Sequence, residues 1–281
     1  METRSGNGND VLQLNPGIVK NLLVKFLKDE TQAAGFSKAI VGLSGGVDSA
    51  LVAALSANAL GAKNVLAVIM PHRMSNPQSA KDAELAVGEL GIRSETIDIT
   101  SMVDAYCETY KVRDQVRRGN VMARARMIVL YDLSAREQAL VIGTSNKTEI
   151  LLGYGTLHGD MASAINPIGD LYKTQVWQLA ESVGVPGQIV KKKPSADLWS
   201  GQTDEGEMGF SYRNVDRLLY YMIDERRKDE ELLKHGFKQE FITKVQTMVR
   251  KSQFKRRPPL IAKVSYRTVN VDFRYIRDWG R

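Results

Sequence analysis

Cysteine is almost absent from this chain: Cys107 stands alone among 281 residues. A single thiol excludes an intramolecular disulfide framework and a cysteine-based zinc site, and it fits a reducing compartment. Histidine is nearly as scarce, and His72, His158 and His235 fall at no spacing that gathers ligands round a metal. No apolar run approaches the roughly 20 residues that span a bilayer. The opening METRSGNGND is too polar for a secretory signal. A cytoplasmic protein without a membrane partner is therefore expected. Acidic charge is in short supply relative to basic: the formal net charge is +7, with much of the excess in KSQFKRRPP and RYIRDWGR near the C-terminus. Anionic small molecules, nucleic acid, an acidic surface and a merely solvated basic face all remain open on that count.

What is present is ordinary globular material, 43% hydrophobic and 25% charged. The length suits one domain spanning residues 1–281: a frayed tail to about residue 14, a core over about 15–200, and a helical extension over about 200–281. Asn15-Pro16 reads as an N-cap with proline at the first helical position, and Val19, Leu22, Leu23, Phe26 and Leu27 follow at helical spacing up to Gly35. That stripe suits core packing or a dimer contact. The middle of the chain then alternates. KAIVGLS, NVLAVIMP, RSETIDI and ALVIGTS read as strands, and helical patterns lie between them, one closed by Gly91. This order predicts an α/β fold: a doubly wound parallel sheet, helices on both faces, and ligands at the carboxyl ends of the strands. Beyond Gly153 a Gly-rich polar stretch predicts a functional loop, then a helix from about Thr174 to Val183. Residues 191–212 are polar and aperiodic, and the remainder is mainly helical up to Pro258-Pro259.

The stretch VGLSGGVDSALVAAL, Val41–Leu55, carries the chemistry. A glycine-rich turn between strand and helix offers free backbone N–H groups and a helix N-terminus, which favour an anion. The lysine of the usual phosphate loop is missing, and so is the GxGxxG spacing of a dinucleotide fold. Asp48 stands there instead. An acid beside phosphate needs a bridging cation, so the pattern implies a divalent metal, Mg²⁺, on a pyrophosphate group.

Ser-Gly-Gly-x-Asp-Ser, Ser44–Ser49, resembles the signature of the ATP pyrophosphatase (PP-loop) superfamily, which cleaves ATP between the α- and β-phosphates to adenylate an acceptor. The stretches GNVMARARMIVLY, VIGTSNKTEILLGYGTLHGDMASAINPIGDLYKTQVWQLA and KKPSADLWSGQTDEGEMGFSY resemble, in order, the NAD synthetase family of that superfamily. With the phosphate loop they cover most of Lys38 to Tyr212. The resemblance implies a Rossmann-like, adenine nucleotide alpha hydrolase-like fold. It also implies ATP-dependent amidation of deamido-NAD, the last step of NAD biosynthesis, in a homodimer. Gly42, Leu43, Ser44, Gly45, Gly46, Val47, Asp48 and Ser49 would cradle the triphosphate, and Thr144, Lys173 and Ser195 would join them on ATP. Asp48 and Glu149 would hold Mg²⁺. Asp48 and Lys173 would serve catalysis, the lysine by offsetting charge on the departing pyrophosphate. Arg124, Asp160 and Lys255 would meet deamido-NAD. The segment GTLHGDMASA departs from the charge pattern of many relatives, and Phe254-Lys255 replaces a His-Lys pair, so that only Lys255 carries over.

Each residue has a plainer reading: Glu149 as a first-turn acid, Thr144 as a helix cap, Lys173 as a surface lysine, Arg124 and Arg126 as solvated helix charges. The roughly forty residues ahead of the loop leave no room for the glutaminase domain of glutamine-dependent relatives, and Cys107 reads as packing. The expected nitrogen source is therefore ammonia, free or delivered by a separate protein. The alternative is a tRNA-modifying ATP pyrophosphatase, which the basic C-terminus favours and the missing catalytic cysteines oppose. A non-catalytic nucleotide sensor would not need the acidic pair Asp48 and Glu149. ATP, deamido-NAD and ammonia are the partners that the resemblance implies, and no nucleic acid is expected among them.

Overall fold

Alternation along the strands sorts the core into two layers. Ala39, Val41, Val65, Ala67 and Ile69 point to one face of a sheet, while Ile40, Leu66, Val68 and Met70 point to the other. The computed structural model describes residues 11–199 and 201–269. Its sheet contains β1 (Ala39–Gly42), β2 (Val65–Ile69), β3 (Arg93–Thr96) and β4 (Leu140–Ile142) in the order β3-β2-β1-β4. All pairings are parallel, with Ala39 opposite both Val65 and Leu140. A bridge between Ile142 and Ile165 extends the β4 edge.

Helices α1 (Pro16–Ala33), α2 (Val47–Leu60), α3 (Pro77–Leu90), α4 (Thr100–Thr109), α5 (Gln115–Glu137) and α6 (Lys147–Leu152) alternate with or follow these strands. Then come α7 (Lys173–Ser182), α8 (Gly187–Val190), α9 (Asp204–Met208), α10 (Tyr212–Leu219), α11 (Asp229–Lys234) and α12 (Gln239–Lys251). Leu23 and Leu27 of α1, the continuously buried middle of α2, and Val176 and Leu179 of α7 cover one sheet face. Val103 and Cys107 of α4, with Met122, Val129 and Leu133 of α5, cover the other. Cys107 is thus a packing residue. A third cluster gathers Leu152, Tyr172, Met208, Tyr212, Val215, Leu218, Leu232, Ile242 and Val245 into the helical C-terminal part.

The doubly wound parallel architecture agrees with the alternation in the sequence, and Asn15 caps α1 by accepting the Ile18 N–H at 3.2 Å. Several boundaries differ. Residues 11–14 are no loose tail: Leu12 is buried, and the Gln178 side chain bonds both the Leu12 carbonyl and the Leu14 N–H. The fourth strand stops at Ile142, α7 begins at Lys173 itself, and α9 interrupts the aperiodic stretch. Residues 1–10 of the expected tail and the basic RYIRDWGR lie outside the described residues.

Candidate active site

The chain leaves β1 for β2 on one side and places β4 on the other, so the loops after β1 and β4 meet where the strand order reverses. The first of these is the Ser-Gly-Gly turn. Its serines hold it together: Ser44 N–H donates to Ser49 Oγ at 3.2 Å, the two hydroxyls lie 3.1 Å apart, and Ser49 Oγ donates to the Gly46 carbonyl at 3.0 Å. Leu43 and Val47 are core residues, and the Leu43 N–H is used on the Val68 carbonyl. Gly45 has φ +74°, and a Cβ there would lie 2.1 Å from the Ser79 carbonyl oxygen, so only glycine fits between the loop and α3. Ser44 is exposed, and the N–H groups of the first turn of α2, which starts at Val47, have no intrahelical acceptor.

Three elements converge beside that turn. Asp48 comes from the first turn of α2, Glu149 from α6 and Lys173 from the start of α7. The Lys173 ammonium, 3% exposed, bonds Asp48 Oδ2 and lies 3.5 Å from Glu149 Oε1. Asn146 Nδ2 donates to Asp48 Oδ1 at 2.9 Å. Burial alone would lower the pKa of Lys173, but Asp48 and Glu149 outweigh it and hold the ammonium above its ordinary range. Burial, then the neighbouring Asp48, push the Glu149 carboxyl well upward, with Lys173 offsetting part of the effect. Asp204 supplies another buried carboxylate, accepting from Tyr154 Oη at 3.1 Å and Tyr212 Oη at 3.0 Å, and burial raises its pKa too.

The oxygen chemistry of Asp48 and Glu149 suits a hard divalent cation, which takes one or two protein carboxylates and completes its shell with phosphate and water. Among the described residues no group of three or more His, Cys, Asp or Glu side chains forms a complete cage. A cation here would thus need oxygens from a bound phosphate.

The other expected site residues are distributed more widely. Glu149 is both a capping acid, its Oε2 accepting the Asn146 N–H at 3.3 Å, and a member of the cluster. Asn146, not Thr144, caps α6, leaving the Thr144 hydroxyl at the carboxyl end of β4. Lys173 is no surface lysine. Ser195 is exposed and its Oγ accepts the Asp197 N–H at 3.1 Å. Arg124 reaches the Leu157 carbonyl at 3.2 Å, and Asp160 Oδ1 accepts the Thr156 N–H at 2.7 Å within the same loop. Lys255 donates to the carbonyls of Gly153 and Gly155 at 2.8 and 2.7 Å, tying the loop's start to the C-terminal helices. Arg126 is not a solvated charge, since its Nε donates to the Met70 carbonyl at 3.1 Å.

Sequence reasoning missed Asn146, Lys192 and Asp204. Asn146 was visible in principle, because Asn-x-x-Glu at 146–149 is a capping-box pattern. Lys192 sits inside a run of lysines, and nothing local distinguishes the one whose Nζ bonds Asp82 at 2.8 Å and approaches the Gly45 carbonyl at 3.5 Å.

A profile of the NAD synthase family matches residues 19–259. The NH(3)-dependent NAD(+) synthetase of Trichlorobacter lovleyi is 58% identical over 270 residues, covering 96% of this chain and 99% of that protein. The protein of the same name from Chlorobaculum parvum is 54% identical over 268 residues, covering 95% and 97%. Among solved structures, the NH3-dependent NAD synthetase of Campylobacter jejuni superposes with a TM-score of 0.77 at 35% identity, covering 89% of this chain and all of that one. The NMN synthetase of Francisella tularensis superposes with a TM-score of 0.80 at 32% identity, covering 89% and 99%.

Proposed function

Because the chain belongs to the NAD synthase family, we propose that it amidates deamido-NAD with ammonia at the cost of ATP, releasing NAD, AMP and pyrophosphate. It is a ligase that forms a carbon–nitrogen bond. The observation that carries this reading is the Asp48–Lys173–Glu149 cluster, set beside a turn whose N–H groups and helix end suit phosphate. The nicotinate carboxylate attacks the α-phosphorus, the bond to the β-phosphate oxygen breaks, and pyrophosphate leaves. Ammonia then attacks the acyl carbon of the adenylate, the C–O bond to AMP breaks, AMP departs with the former carboxylate oxygen, and the nitrogen gives one proton to solvent to leave the neutral amide.

The chain's part is placement and fixed charge. Residues 42–49 cradle the triphosphate, Thr144 and Ser195 line the ATP side, and Arg124, Asp160 and Lys255 shape the deamido-NAD side. Lys173 stays protonated between its carboxylates and presents a cation to the leaving pyrophosphate. Asp48 and Glu149 would hold Mg²⁺, which when bound supplies further neutralisation of phosphate charge. Ammonia is the nitrogen source, and the cytoplasm, where ATP is made available, is the place of action. The tRNA-modifying alternative is not favoured by the family to which the chain belongs.

We read the assembly as a homodimer. Support comes from apolar side chains left exposed on three helices: Ile18 and Leu22 on α1, Tyr106 on α4, and Ile128 and Tyr131 on α5. Light scattering behind a sizing column checks this, and a monomer mass at micromolar concentration removes it.

The direct test incubates the chain with ATP, magnesium, ammonium and deamido-NAD, and measures AMP, pyrophosphate and NAD in equal amounts. The deamidated mononucleotide serves as the competing acceptor. Asp48→Ala should abolish pyrophosphate release, and normal release by that variant contradicts the role given to Asp48.

A further inference from the structure

We propose that Asp216, which belongs to α10 and lies outside the cluster, is the positioning residue that sets Lys173 against Glu149. This inference rests on the functional reading above. Glu149 and Lys173 sit at the starts of α6 and α7, which are separated by the Gly-rich loop 153–172, so local sequence does not fix one relative to the other. Asp216 is fully buried and both its oxygens are used across that gap. Oδ1 accepts the Thr148 hydroxyl at 2.6 Å, and Oδ2 accepts the Thr174 N–H at 2.8 Å. Thr148 Oγ1 in turn accepts the Lys173 N–H at 3.0 Å. One carboxylate thereby gathers the residue before Glu149, the backbone of Lys173 and the residue after it.

A buried carboxylate is costly unless its lone pairs are satisfied. Here it sits at two helix N-termini, where negative charge is favoured. It also fills a gap in capping. Asn146 caps α6 locally, but α7 has no side-chain cap at Tyr172, so the N–H of Thr174 finds its acceptor 42 residues further along the chain. A cap needed only for stability is most simply supplied by the preceding residue. A cap supplied from α10, and shared with α6, couples the positions of both helix starts. Residues that orient ligands from behind in this way typically change metal affinity or activity by about 10–100-fold when altered.

The experiment uses the full chain with Thr148→Val, Thr148→Ser and Asp216→Asn. Val removes the hydroxyl that relays between Asp216 and Lys173, Ser keeps it, and Asn retains one acceptor of the two. Calorimetry reads the binding of magnesium α,β-methylene-ATP and, separately, of deamido-NAD, and thermal melting reports the fold. Thr148→Val and Asp216→Asn should each weaken the ATP analogue by about 10–100-fold and lower kcat, while deamido-NAD affinity moves less than about twofold. Thr148→Ser should restore binding, and the double variant should bind about as weakly as either single one, because both changes break one chain of bonds. Unchanged analogue affinity in folded variants overturns the inference, and so does parallel weakening of both ligands with a lower melting point, the mark of a merely structural bond. If Asp216→Asn fails to fold, the Val and Ser pair at Thr148 decides. A wild-type chain that does not bind the analogue defeats the functional reading, whereas binding by the wild type that the variants retain defeats only the positioning role.

Discussion

Lys173 keeps a charge that burial alone would weaken, because two acids flank it. Replacing it by Met leaves Asp48 and Glu149 facing one another, and like charges in one site cannot both stay ionised cheaply. Lys173→Met is expected to reduce pyrophosphate release by about 10²–10³-fold, read in a coupled phosphate assay, with deamido-NAD still bound. His72 makes a different kind of prediction. It is buried, its Nδ1 accepts the Met74 N–H at 3.2 Å, and its Nε2 lies 3.4 Å from Asp104 Oδ1. Burial holds its pKa below the ordinary 6.5 in spite of Asp104, with Arg126 and Arg118 acting in the same direction as burial. The unfolded chain therefore takes up this proton first as pH falls. The contribution of His72 is intact above pH 6.5 and is lost as pH drops toward the folded pKa. Urea midpoints measured from about pH 7.5 to 5.5 should decline less steeply in His72→Gln, and equal slopes count against a neutral buried imidazole.

At the scale of elements, two glycines separate conformational need from mere tolerance. Gly45 combines φ +74° with a Cβ position 2.1 Å from the Ser79 carbonyl. Gly45→Ala is expected to destabilise by about 1–3 kcal/mol and to abolish nucleotide binding, since the loop must lift off α3. Gly88 sits within α3 with nothing within 4 Å of its Cβ position. Gly88→Ala should stabilise by about 0.5–1 kcal/mol through helix propensity. Denaturant melts of the two variants check both signs. Element positions were largely legible because apolar strands of β2 type and capped helices such as Asn15-Pro16 carry their own signals. The α7 start at Lys173 lies within one residue of the expected Thr174, whereas the acceptor of its Thr174 N–H, Asp216, is not local and no neighbouring residue announces it.

Over the whole molecule, α7 is shared property. Val176 and Leu179 pack into the sheet-side core, while Tyr172 belongs to the C-terminal cluster and Trp177 touches both. Trp177 also meets the Tyr212 ring edge-on at 6.2 Å. Core and helical extension should therefore unfold together as one domain. Tryptophan fluorescence and far-UV circular dichroism are expected to give coincident denaturation midpoints, and separated midpoints would divide the chain into two units.

The sequence by itself determined the strand–helix alternation and the phosphate-type turn, because hydrophobic period, glycine demand and a dense local motif are all written in neighbouring residues, while the likeness to the family rested on several ordered stretches between Lys38 and Tyr212. Asp48 was legible for that reason, lying within six residues of the glycines that explain it. Only the tertiary structure decided that Lys173 is buried between Asp48 and Glu149, that Asn146 steadies Asp48, and that Asp204 and Asp216 stand behind them. Such pairings join residues separated by 98 and 125 positions. No periodicity or spacing encodes them, since a charge buried in company and a charge on the surface look alike until the chain has folded around one of them.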